Sequence, residues 1–215
     1  MGTIGGNTLP FNFDLSQCRI QAGEVGDIPI VVGIKDCPTY LNLVTNGSFF
    51  YGNDNSFQSD LPLSCNSCSS SSYCVGNQFS AKCNSWPANT WDKTLNTVNG
   101  NYMLIDGNPG GPSTVWRDTV YVCDKEIYTF SFWVKSIYPD AFTLGLMVNN
   151  NTVPIYTTAP AISGPAVWKQ YSTTWQSTLT GHIQIGIRQL TGGHKRDFGI
   201  DDINFGYCCK CFPYK

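Results

Sequence analysis

The stretch Tyr128-Thr129-Phe130-Ser131-Phe132-Trp133-Val134-Lys135 decides the fold class. Its apolar members at 128, 130, 132 and 134 alternate with 129, 131, 133 and 135. That period of two marks a strand with one face in a core. The same period recurs on both sides of it. Residues 115–122 precede it, joined through the turn Cys123-Asp124-Lys125-Glu126. Leu144, Leu146 and Val148 follow and end in Asn149-Asn150-Asn151. Residues 168–175, then Ile183, Ile185 and Ile187, then residues 198–205 complete the series, and 102–105 open it. Alternation at this spacing predicts an antiparallel β-sandwich in which each sheet gives one face to the core.

Composition agrees. The 215 residues hold only two glutamates, Glu24 and Glu126, while 21 glycines and 12 prolines supply turn signals. Charged residues make up 13%, against roughly 25% in an average globular protein, so Asn, Ser, Thr, Gln and Gly must cover the surface. The net charge is −2 and no basic run exceeds His194-Lys195-Arg196. Nothing there forms an electrostatic footprint for nucleic acid. No apolar stretch reaches the ~20 residues of a membrane-spanning helix; residues 28–34 are short and interrupted by Pro29 and Gly33.

Ten cysteines point to an oxidising compartment and hence to a secreted or cell-surface protein. Cys65, Cys68, Cys74 and Cys83 resemble a zinc cluster in outline but lack the second close pair of a structural zinc site, so disulfides are the stronger expectation. Cys18 and Cys37 are placed to close one loop. Cys208, Cys209 and Cys211, at the end of the last strand, are placed to staple the tail to the N-terminal unit or to another subunit, and Cys123 completes the ten. The connectivity stays open. The chain opens Met1-Gly2-Thr3 with neither a charged nor an apolar leader region. That fits a start placed on a mature secreted chain, or a virion protein released by lysis.

Three units are expected. Residues 1–40 form a small extension or an added edge strand, and 41–207 form the main domain, with a Cys- and Ser-rich surface loop inserted at 64–83. Residues 208–215 form a tail.

Five blocks of the main domain, in order, resemble jelly-roll carbohydrate-binding modules of the galactose-binding-like kind, as found in surface and secreted proteins of gliding, polymer-degrading bacteria. Leu43-Val44-Thr45-Asn46-Gly47-Ser48-Phe49 resembles their opening NG-x-F motif. Val115-Trp116-Arg117-Asp118-Thr119-Val120 resembles W-x-Q-T-V, and 128–134 resembles Y-T-F-S-F-W. Trp168 with Trp175 resembles the paired tryptophans of a late strand. Phe198-Gly199-Ile200-Asp201-Asp202-Ile203 is similar to the closing F-x-I-D-D-I. The resemblance implies a jelly roll, and a structural calcium where first and last strands meet. Asn46, Ser48, Asp201 and Asp202 are its candidate oxygen donors, although Phe50 stands where the family has a glutamate. Strand geometry would put Asp201 and Asp202 on opposite faces.

A sugar site needs aromatic faces beside hydrogen-bonding side chains. Trp116, Trp168 and Trp175 belong to the family pattern and are expected in the core. Trp133 should face outward, as should Arg117 and Tyr121 on one strand and Gln184 and Arg188 on another. If these strands share a sheet, they form one concave polar-aromatic face, with Trp86 and Trp91 on its rim. No nucleophile elbow, zinc-protease motif or phosphate loop is present. His182 and His194 lack a nucleophile partner, and Asp106 with Asp118 is a poor pair for glycoside hydrolysis. The sequence therefore predicts a non-catalytic binding or adhesion module for a glycan or cell-surface polysaccharide. The alternative is a structural subunit of a virion or appendage that contacts copies of itself or other surface proteins.

Overall fold

The computed structural model describes residues 3–4, 7–8, 40–87, 91–94, 100–138, 140–149, 153–158, 167–192 and 195–208. Most of the expected 1–40 unit and the 209–215 tail lie outside the described residues, with Cys18, Cys37, Cys209 and Cys211, as does the side chain of Cys208.

The described residues are all-β apart from one 3-10 turn, Phe79–Ala81. Strands β1 (Thr3–Ile4) and β2 (Asn7–Thr8) pair as a separate ribbon. The others are β3 (Tyr40–Asn42), β4 (Ser72–Gly76), β5 (Tyr102–Asp106), β6 (Ser113–Val122), β7 (Ile127–Ser136) and β8 (Leu144–Val148). After them come β9 (Tyr156–Thr157), β10 (Lys169–Gln176), β11 (Gly181–Gln189) and β12 (Phe198–Cys208). They form a sandwich. One sheet runs β10-β7-β12-β5-β4, with β3 also on β12, and the other runs β6-β11-β8-β9.

The alternation read from the sequence positions the core. Phe130, Phe132 and Val134 of β7 are buried, as are Ile183, Ile185 and Ile187 of β11 and Phe198, Ile200 and Phe205 of β12. Each such side chain contributes about 1.5–3 kcal/mol on burial. Aromatic rings pack against one another within this core. Tyr128 stacks on Phe205 at 5.0 Å and Phe142 on Phe198 at 4.7 Å. The Tyr128 hydroxyl also accepts the Cys123 amide at 2.8 Å, tying the 123–126 turn to the core.

Two bulges break the simple alternation. Ile187 pairs with Trp116 but Arg188 pairs with Thr114, so Val115 is an extra residue and both Val115 and Trp116 point into the core. On β12 the register shifts between Asp201 and Asn204, with Asp202 in the left-handed region at φ 47°. The opening motif meets β12 at this place. The Ile203 amide donates to the Gly47 carbonyl at 2.9 Å, and a Cβ on Gly47 would stand 2.0 Å from the Ile203 carbonyl oxygen. Only glycine admits that approach.

The Cys-rich insertion is more than a surface loop. It supplies the edge strand β4 and a second core on the outer face of the six-stranded sheet, where Phe79, Cys74, Cys83 and Trp86 pack on Tyr102 and Leu104. Phe79 meets Tyr102 edge-on at 5.6 Å. Disulfides Cys65–Cys74 and Cys68–Cys83 staple it. All four sulfurs are thus in S–S bonds, which removes the thiolates zinc requires. Cys123 is disulfide-bonded as well.

Candidate ligand-binding site

On the outer face of the four-stranded sheet, β6 and β11 place Arg117 opposite Gly186 and Tyr121 opposite His182. Gly186 carries no side chain there, and a cavity of about 70 Å³ opens beside it, lined by Thr114, Arg117, Met147, Gln184 and Arg188. Arg117 is held from a neighbouring segment. Its Nε donates to Gln58 Oε1 at 3.2 Å and its Nη1 pairs with Asp60, whose other oxygen accepts the Thr114 amide at 2.9 Å. Partial burial opposes ionisation of Asp60, but the Thr114 amide and the Arg117 guanidinium outweigh it and hold the carboxyl below its ordinary range. The Nε of Arg188 is buried with no hydrogen-bond partner. Beside the cavity Tyr121 and His182 meet edge-on at 5.2 Å.

The structure thus brings Arg117, Gln184 and Arg188 together, with Tyr121 along the same face. It does not bring Trp133 to them. Trp133 lies on β7 in the six-stranded sheet, between Gln170 and Asp201, so the expected common face divides between two sheets. The chain crosses from one sheet to the other at the 123–126 turn. Alternation reports which face a residue takes, not which sheet its strand joins. The ammonium of Lys93 stands 4.3 Å over the Trp133 ring and covers it. Trp91 is exposed, and its carbonyl accepts the Trp168 indole N–H at 3.0 Å, which puts it on the six-stranded side too. Trp86, expected on a groove rim, is buried in the second core.

The aspartates of the closing motif serve a loop. The carboxylate of Asp201, inaccessible to solvent, accepts the amides of Lys93 at 2.8 Å, Thr94 at 3.3 Å and Asp202 at 2.8 Å. The Thr94 hydroxyl donates to Asp202 at 2.5 Å and also lies 3.4 Å from Asp201. The bulge has therefore turned both carboxylates toward one side, where regular strand geometry would have separated them. Burial, then the charge of Asp202, pushes Asp201 well above the usual carboxylate range. Asn46 is engaged elsewhere. Its side chain accepts the Tyr51 amide at 3.1 Å and donates to the Gly52 carbonyl at 3.0 Å, closing the turn that contains Ser48. Asn46 thus belongs to one hydrogen-bond set, and Asp201 with Asp202 to another. Among the described residues no group of three or more His, Cys, Asp or Glu side chains is placed to hold a metal.

Asp106 and Asp118 lie on different sheets, on β5 and β6. Asp118, beside core-facing Ile185, is pushed up to about 6 by burial. Asp106 belongs to a buried group under the second core. There Lys82 stands 3.8 Å from it, and Asp197 accepts the Gly107 amide at 2.9 Å. The cavity residues Thr114, Met147 and Gly186, and Gln58 and Asp60 that hold Arg117, escaped the sequence reading. Only the strand parity of Met147 and Gly186 carried a signal; Thr114 reaches this face through the Val115 bulge.

No protein-family model matches the chain, and no curated protein matches it. Solved structures do. A Stig cyclase, Fisc from Fischerella sp. TAU, is 12% identical with a TM-score of 0.52, covering 77% of this chain and 96% of its own. TmCBM61, solved in complex with β-1,4-galactotriose, is 16% identical with a TM-score of 0.48, covering 76% and 97%. A family 16 carbohydrate-binding module is 12% identical with a TM-score of 0.46, covering 76% and 99%. At such identities what is shared is the fold, a jelly-roll-like sandwich. The cyclase, at a TM-score of 0.52, shares it, and a fold hosts many functions.

Proposed function

We propose that this chain is a non-catalytic extracellular glycan-binding module that holds its ligand on the outer face of the four-stranded sheet. The observation that carries the reading is the cavity floored by Gly186, where two guanidiniums and an amide converge beside the apolar Met147. Planar donors and acceptors around a small apolar patch are what a sugar edge requires: hydroxyls to the polar groups, C–H bonds to the sulfur and the aromatic rim. Arg117 is already fixed by Gln58 and Asp60, so it is presented without further loss of side-chain freedom. The five motif blocks quoted above favour the same class. The separation of Asp106 from Asp118, on different sheets, supports a binding role over hydrolysis, which needs two carboxylates across one cleft. The disulfides support an oxidising, extracellular setting. No helix among the described residues is long and apolar enough to cross a membrane.

The test is a glycan array probed with the intact oxidised chain and with Gln184→Ala and Arg117→Ala variants. Binding to a defined set of saccharides, lost in both variants, is the expected result. A blank array, or hits that neither substitution weakens, would remove the proposal.

A further inference from the structure

The cavity beside Gly186 offers about 70 Å³ of space to water-sized groups, several times the ~10–15 Å³ that one water needs on that measure. A ring substituent of three heavy atoms fits such a space. The ionisable side chains that line it are Arg117 and Arg188. The charge of Arg117 is offset by Asp60, which pairs with it and holds it in place. Arg188 has no ion-pair partner among the described residues, and its Nε is a buried donor with no acceptor. A buried unsatisfied donor is unfavourable until an acceptor reaches it. The extra residue Val115 bends β6 beneath this position and sets Thr114 opposite Arg188. Bulges of this kind re-aim side chains next to binding sites.

Resting on the glycan reading above, we infer that the site selects saccharides carrying a carboxylate, with the acid group seated on Arg188. A carboxylate is planar and presents two acceptor oxygens, the match for the Nε–Nη fork of a guanidinium. The cavity admits that group, while the ring lies outside it across Gln184 and Arg117, whose amide and remaining N–H groups meet the hydroxyls. The charge left unbalanced at the site is a single positive one, so a single negative group on the ligand completes it.

The experiment is calorimetric titration of the intact chain with a panel of uronic and sialic acid oligosaccharides, each paired with its methyl ester, and with a sulfated disaccharide. The free acid of at least one pair should bind about tenfold or more tighter than its ester, a difference of about 1.4 kcal/mol. The gap should narrow as salt is raised, since the ion pair is screened. Arg188→Gln should abolish the gap, and Arg188→Lys, which keeps the charge but not the fork, should restore only part of it. Both variants should melt at the wild-type temperature. Esters and neutral sugars binding as tightly as the acids, or an acid preference that survives Arg188→Gln, would overturn the inference and leave the glycan reading standing. Tighter binding of the sulfated sugar would overturn the choice of carboxylate. No binding by any member of the panel, together with a blank neutral array, would overturn both.

Discussion

Lowering the pH from 7 to 5 should stabilise the folded chain, because burial raises the carboxyls of both Asp197 and Asp201. The Asp197 side chain sits in the buried group with Asp106 and Lys82 beneath the second core. Burial raises its carboxyl to about 7, against the opposing pull of the Gly107 amide. In the unfolded chain the same group titrates near 3.9. A folded value above the unfolded one means that the native state holds the proton more tightly. Its contribution is therefore complete below about pH 4 and is lost as pH rises through about 7. Between pH 5 and 7 the loss runs at about 1.4 kcal/mol per unit, or roughly 2–3 kcal/mol over the interval. Asp118, raised by burial to about 6, adds in the same direction over the lower half of that window. Asp54 and Asp60 have the opposite sign, but both lie below their ordinary value and so act at more acid pH. The assay is urea unfolding followed by tryptophan fluorescence at pH 5, 6 and 7 for the wild type and Asp197→Asn. The wild type should lose stability with rising pH, and the variant should show a clearly shallower slope. Wild-type stability that is flat or rises from pH 5 to 7, or an unchanged slope in Asp197→Asn, would refute the reasoning.

Other consequences follow from packing. Phe79→Ala removes a fully buried ring that meets Tyr102 and Trp86 edge-on, and thermal unfolding should register a loss of about 3–5 kcal/mol. Gly47→Ala forces a methyl against the Ile203 carbonyl; the opening motif and β12 must separate, and denaturant unfolding should show a cost of about 3 kcal/mol or more. Reduction of the disulfides releases loops with sequence separations of 9 and 15, each staple contributing typically about 2–4 kcal/mol. Limited proteolysis should then cut within 64–83 while the far-ultraviolet β-signal of the sandwich persists.

Much of the sandwich was legible because period-two alternation is local. The buried sets on β7 and β11 are those the pattern named, and the motif blocks at 115–120, 128–134 and 198–203 fell on strands β6, β7 and β12. The misses share one cause: they depend on contacts distant in sequence. Trp133 faces outward as alternation requires, yet it lies across the sandwich from Arg117, because sheet membership is set by the crossover at 123–126. Asp201 and Asp202 turn to one side because of a bulge that no propensity announces. The Ser-rich run at 69–72 looked like a loop, but Ser72 begins an edge strand. Phe79 and Trp86 form a core there only because Tyr102 and Leu104 lie on the outer face of β5. Arg117, Gln184 and Arg188 were legible as outward positions on neighbouring strands. Gln58 and Asp60, which hold Arg117, come from a segment with no periodic signal.

The central claim is that ligand binds on the outer face of the four-stranded sheet, and amide chemical-shift mapping tests it most directly. The strongest saccharide from the array would be titrated into isotopically labelled, oxidised chain. Shifts concentrated at Gln184, Gly186, Arg188, Arg117 and Met147, and absent in Gln184→Ala, are the expected result. Shifts concentrated instead at Trp133, Lys93 and Gln170 would place the ligand on the opposite sheet and contradict the account.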